Sequence, residues 1–171
     1  MAFEAGALFD LVLRWTHFAA ALIWIGHNYV NVVLTPRFVP LQPEDFARED
    51  VGAALTSRLK REHGTFRHAA LVTWLAGALM LWRMGMLPDA ILLRGPAAVI
   101  GTGAWIGTVM VLNLWLVMWP HQKKVLGFVP APARERARAA RVTFLSSRTN
   151  TILSIPLLFF MGAGTHGLAL F

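Results

Sequence analysis

The chain has no cysteine, which excludes disulfides, thiolate metal sites, iron–sulfur clusters and a covalently attached c-type haem within its 171 residues. Charge is also scarce. Only 15% of residues are charged, and acids are the rarer sign, with 9 Asp+Glu against 16 Lys+Arg. No carboxylate falls within any of the long apolar stretches described below, which argues against a buried proton relay or a carboxylate acid–base pair. A Gly-rich phosphate loop and a nucleophile elbow are missing as well.

Apolar residues dominate instead. They make up 56% of the chain, and the mean hydropathy of +0.54 makes a lipid bilayer the first solvent to consider. Four stretches stand out: Leu11–Leu34, Phe66–Leu87, Ala97–Trp119 and Thr149–Leu170. Each is long enough, at 1.5 Å per helical residue, to cross a hydrocarbon core of about 30 Å. The first lacks a basic n-region and outruns a signal peptide's apolar core, so it reads as a retained span.

The basic residues are placed one-sidedly. Arg37, Arg48, Arg58, Lys60, Arg61 and Arg67 lie between or at the mouths of the first two spans. Lys123, Lys124, Arg134, Arg136, Arg138, Arg141 and Arg148 separate the last two, leaving Arg14, Arg83 and Arg94 for the other side. Positive connectors stay cytoplasmic. The expected architecture is therefore an all-α integral membrane protein: a four-helix transmembrane bundle, N-out/C-out, with cytoplasmic loops 35–65 and 120–148, multi-pass in a bacterial inner membrane. The whole chain, 1–171, forms a single domain. The net charge of +7 then reports topology rather than nucleic-acid binding, for which no motif is present. Pro120 is expected to close the third span, and a short helix is expected after Pro43. Arg134, Arg138, Arg141 and Arg148 share one helical stripe, suited either to solvent or to anionic headgroups.

Polar residues within the spans carry the functional argument. His17, Trp24, Asn28 and Asn31 fall within about 60° of arc on the first helix at 100° per residue. Unpaired polar groups in hydrocarbon cost several kcal/mol, so this stripe should face other helices. His27 lies about 80° off it. The fourth span shows a matching stripe of Asn150, Ser154, Leu158, Met161 and Thr165. The third contributes Asn113 and a small-xxx-small pair, Gly103 and Gly107, suited to close helix contact. Asn28, Asn31, Asn113, Asn150 and Ser154 are thus the expected interhelical hydrogen-bonding set.

Two histidines at equal depth on facing helices could hold a b-type haem or another tetrapyrrole. The candidates are His17 with His166 near the outer leaflet, and His27 with His68 near the inner leaflet, where Thr73 is also expected. Interhelical hydrogen bonding is the competing role for all four. No set of side chains is assigned to a free metal ion.

The motif Gly103-Ala-Trp-Ile-Gly-Thr-Val-Met-Val-Leu-Asn113, followed by Pro120-His-Gln-Lys-Lys-Val125, resembles the late spans of the membrane domain of bacterial membrane-bound urate hydroxylases. Asn150 with Pro156-Leu-Leu-Phe-Phe-Met161 resembles them too. Arg14-Trp-Thr-His17, Trp24-Ile-Gly26 and Thr73-Trp-Leu-Ala-Gly77 are similar to the early spans. The family's membrane domain is longer and usually ends in a cytochrome c domain, so this chain looks like a shortened four-span form without that tail. His17 aligns with a family histidine. Family histidines expected near Gly101 and Thr149, and a carboxylate expected near Ala69, are absent, whereas His27 and His68 are additional. The resemblance implies a redox-associated membrane fold with most of the family's polar site residues missing. Two functions remain open. One is a small accessory transmembrane subunit of a respiratory or photosynthetic complex, contacting a tetrapyrrole through His17 or His27. The other is a urate-hydroxylase-like or b-haem-binding membrane oxidoreductase. The first has other transmembrane subunits and the lipid bilayer as partners, and no nucleic acid.

Overall fold

The computed structural model describes residues 5–40 and 49–165, with side chains for all of these except 49–63 and Thr165. His166, the segment immediately after Pro43 and the last residues of the fourth apolar stretch lie outside the described residues. The fold is all-helical. The elements are α1 (Ala5–Leu34), α2 (Glu49–Arg83), the short α3 (Leu87–Ile91), α4 (Ala97–Leu112), a π-helical segment (Asn113–Met118), α5 (Trp119–Val125) and α6 (Ala133–Thr165). Among the described residues there is no strand.

Two of the expected loops are largely helix. α2 begins at Glu49 and runs unbroken through the second apolar stretch, and α6 begins at Ala133, well before Thr149. The charged residues there continue the turns of the apolar segments, since Arg, Lys, Glu and Ala are all good helix formers. Pro120 does not close the third helix either. In a regular α-helix its ring would crowd the carbonyl of residue 116. Here the preceding π turn widens the helix, with the Trp119 N–H bonding back to Leu114 five residues earlier, and the chain stays helical to Val125. Glycine in the left-handed region stops α2: Gly85, at φ 69°, lets its own N–H reach Trp82 O while Met86 N–H reaches Leu81 O.

Interhelical contacts define the arrangement. α1 packs on α2 and α6, and α4 packs on the same two, which closes a ring in the order α1, α2, α4, α6. Neighbours run antiparallel. Along α1 and α2, Asp10 meets Arg83, His17 meets Thr73 and His27 meets Phe66. Along α1 and α6, Tyr29 meets Ser154 and Thr35 meets Arg148. Gly103 and Gly107 of α4 make the expected close helix contact, and the neighbour is α6: a Cβ at Gly103 would meet Phe160 and Met161 at 3.3 and 3.0 Å, and one at Gly107 would meet Leu157 at 3.6 Å. α3 crosses α4 more closely still, because a Cβ on Gly101 would fall 2.2 Å from the Ala90 carbonyl oxygen.

The interior is built from Trp24, Ile25, Phe66, Ala69, Ala70, Met110, Val111, Leu114, Met118 and Leu157. Much of the apolar surface remains outside it. Val12, Trp15, Phe18 and Leu22 of α1, Leu116 of the π segment and Ile152 and Ile155 of α6 are all more than half exposed. Among the described residues two helices, Ala5–Leu34 and the continuous Ala97–Val125, are long and apolar enough to cross a membrane.

Candidate functional site

The polar seam lies between α4 and α6. Asn113 Nδ2 donates to Asn150 Oδ1 at 2.8 Å and to the Ser146 carbonyl at 3.0 Å, and Asn150 Nδ2 donates to the Met110 carbonyl at 3.1 Å. That carbonyl stands at the junction of α4 with the π segment, where the backbone hydrogen-bonding pattern changes. One turn along α6, Ser154 Oγ donates to the Thr151 carbonyl at 2.7 Å. With its single proton used there, it accepts from the Tyr29 hydroxyl at 3.2 Å. Asn150 and Ser154 are fully buried. The stripe on α6 departs from expectation at Leu158, which is half exposed, while Leu157 enters the core. Repeated steps of four residues drift by 40° each, so a step of three is needed to stay on one face.

On α1 the stripe is buried but not uniformly paired. Asn28 is fully buried, yet neither its Oδ1 nor its Nδ2 has a partner, and the same holds for Trp24 Nε1 one turn earlier. Asn28 is thus inside the seam without being part of its hydrogen bonding. Asn31 is half-buried and lines the cavity described below.

The histidines separate into different environments. His17 Nδ1 donates to the Thr73 carbonyl at 2.8 Å, so the two are level with each other and not at opposite leaflets. Gly77 makes room for the ring, since a Cβ there would sit 2.9 Å from His17 Cε1. This hydrogen bond leaves Nε2 as the lone-pair nitrogen, the tautomer a metal-ligating histidine adopts when a backbone carbonyl holds its other nitrogen. His17 thus keeps at Nε2 the lone pair that a metal would need, and its expected partner His166 lies outside the described residues. The inner pair does not assemble. His27 packs on Phe66 at 4.4 Å, whereas His68 is exposed beside Trp115 at 6.3 Å. Residues 66 and 68 are about 200° apart around α2, so His27 and His68 lie on opposite sides of that helix and cannot flank one macrocycle. Among the described residues no cluster of three or more His, Asp or Glu could hold a metal ion.

Two features escaped the sequence reading. Arg67 stacks over Trp119 at 3.6 Å and near Trp115 at 5.1 Å, a cation–π arrangement between α2 and the third long helix. At the same end of the ring, a cavity of about 250 Å³ lies between the end of α1 with its following segment, α5 and α6. His27, Asn31, Gln122, Thr143, Ser147 and Arg148 supply its polar lining, and Phe38, Phe66, Met118, Leu126 and Phe144 much of its apolar wall. Arg148 does not stay with its stripe. Arg134, Arg138 and Arg141 are exposed, but Arg148 turns inward and donates from Nη2 to the Thr35 carbonyl. No spacing rule marks these residues, because they come from four separate segments.

A helical protein with membrane-capable segments and a polar internal seam is the class these features define. The family model described as urate oxidase N-terminal matches residues 86–170, the half of the chain holding α3 to α6 and the Asn113–Asn150 pair. This match supports a urate-oxidase-like relationship. No curated protein and no solved structure matches the chain.

Proposed function

We propose that the chain is a small accessory transmembrane subunit of a larger bioenergetic complex, respiratory or photosynthetic, in a bacterial inner membrane. It threads the bilayer four times, N-out/C-out, with its basic segments on the cytoplasmic side. The observation that carries this reading is the apolar exterior of the ring around a few buried polar side chains. Large apolar side chains such as Trp15, Phe18, Leu22, Leu116 and Ile152 face outward, while Asn28, Asn150 and Ser154 are fully buried. A lipid or subunit environment favours that distribution and water does not. The antiparallel register supports it too, since it gathers Arg37, Lys123, Lys124 and Arg148 at one end and Asp10 and Arg83 at the other.

His17 is the residue that would hold a tetrapyrrole, with the Thr73 carbonyl orienting the ring and Gly77 leaving space for it. A bound b-type haem would supply one-electron transfer. Isolation of the native assembly in mild detergent tests the subunit reading: the chain should co-migrate with other membrane subunits identifiable by mass spectrometry. Migration on its own would overturn it.

The match over residues 86–170 favours a second reading, an oxidoreductase similar to urate hydroxylases. Urate turnover by the purified chain in reconstituted membranes would support it, and a chain inert toward urate would remove it.

A further inference from the structure

The basic and apolar parts of α6 share one outward face. Arg134, Arg138 and Arg141 are exposed, and Leu145 and Ile152 further along are more than half exposed. At 100° per residue these positions fall within about 60° of arc on one unbroken helix, so the row changes from cationic to apolar without turning away. The change is abrupt, with Arg141 standing roughly 6 Å along the axis from Leu145. Glu135, the one acid in α6, is occupied by Lys124 of α5.

The third long helix fixes the depth of that change. Arg136 Nη2 donates to the Val125 carbonyl at 2.9 Å, and Asn150 Nδ2 donates to the Met110 carbonyl at 3.1 Å, so α6 runs antiparallel to the stretch from α4 through α5. Counted inward from the first pair, Arg138 comes level with Lys123, and Arg141 with Pro120. Trp119, the next residue, is half-buried against Phe128, with Lys123 Nζ 5.9 Å from its ring. Tryptophan concentrates where acyl chains give way to headgroups. The side of α6 that acyl chains cover at Leu145 and Ile152 thus meets their headgroups at Arg141 and Arg138.

We infer that the face of α6 carrying Arg134, Arg138 and Arg141 binds the phosphate groups of anionic phospholipids in the cytoplasmic leaflet, an assignment that rests on the transmembrane reading proposed above. A zwitterionic headgroup would leave the stripe's positive charge uncompensated, whereas an anionic one neutralises it.

Native mass spectrometry of the full chain, released from phosphatidylcholine vesicles containing a minority of phosphatidylglycerol, reads which lipids it retains. Phosphatidylglycerol should be enriched over its share of the membrane by about five-fold or more, the gain expected from one arginine near the surface. Changing all three residues together, Arg134→Gln, Arg138→Gln and Arg141→Gln, should remove most of that enrichment, and changing the same three to lysine should keep most of it. Both sets fall on exposed helical positions and introduce good helix formers, so both should fold. Arg94→Gln, exposed at the opposite end of the ring, should change nothing. Enrichment that is absent, or equal in the wild type and the glutamine variant, overturns the assignment alone if the chain resists carbonate extraction from membranes. A chain that carbonate releases would remove the transmembrane reading with it.

Discussion

Replacing each buried asparagine with leucine separates paired from merely buried amides. Asn150 takes part in two side-chain hydrogen bonds, accepting from Asn113 and donating to the Met110 carbonyl. Interhelical hydrogen bonds within membranes average about 0.6 kcal/mol and reach about 1.7. Loss of two should therefore destabilise Asn150→Leu by about 1–3 kcal/mol, with Asn113 left one acceptor short. Asn113→Leu should cost a similar amount, since it also abandons the Ser146 carbonyl. Asn28→Leu should behave differently. It breaks no hydrogen bond and removes two desolvated, unpartnered polar atoms, so it should be neutral or stabilising by up to about 2 kcal/mol. Reversible unfolding of the three variants in bicelles would read these values. A loss for Asn28→Leu as large as that for Asn150→Leu would refute the division, because it would mean that Asn28 holds a structural partner such as a bridging water.

Further outcomes follow from single positions. Gly101→Ala should destabilise by about 1–3 kcal/mol, because the new methyl would strike the Ala90 backbone, while Gly26→Ala, which meets nothing within 4 Å, should be neutral or slightly stabilising; thermal denaturation in detergent compares them. Amine reagents that do not cross membranes should leave Lys123 and Lys124 unlabelled in intact cells and modify them in inverted vesicles, and labelling from outside would reverse the proposed topology. If the native assembly shows a Soret band that belongs to this chain, His17→Ala should abolish it and His68→Ala should preserve it. The opposite pattern would exclude His17 as the ligand.

Much of the helical framework was legible in the order of residues. The small pair Gly103 and Gly107 marked a close helix contact, though not its partner α6, and the spacing of Asn150 and Ser154 placed both in the interior. Other features were hidden for definable reasons. The π turn before Pro120 depends on a one-residue widening that hydrophobic periodicity does not register. Arg148 shared a helical stripe with three exposed arginines, and only the approach of the segment after α1 drew it inward.

Composition and periodicity mark the four apolar helical segments and much of the polar edge of each, because both properties belong to a single helix and its 3.6-residue turn, but they do not mark how far α2 and α6 continue into the charged stretches. Partnership belongs to pairs of helices. Asn28 and Asn150 look equivalent along the chain, yet one is bonded and the other is not; His27 and His68 look like a pair, yet α2 stands between them. Axial rotation and register between neighbours decide such matters, and these are set by how all four long helices pack at once.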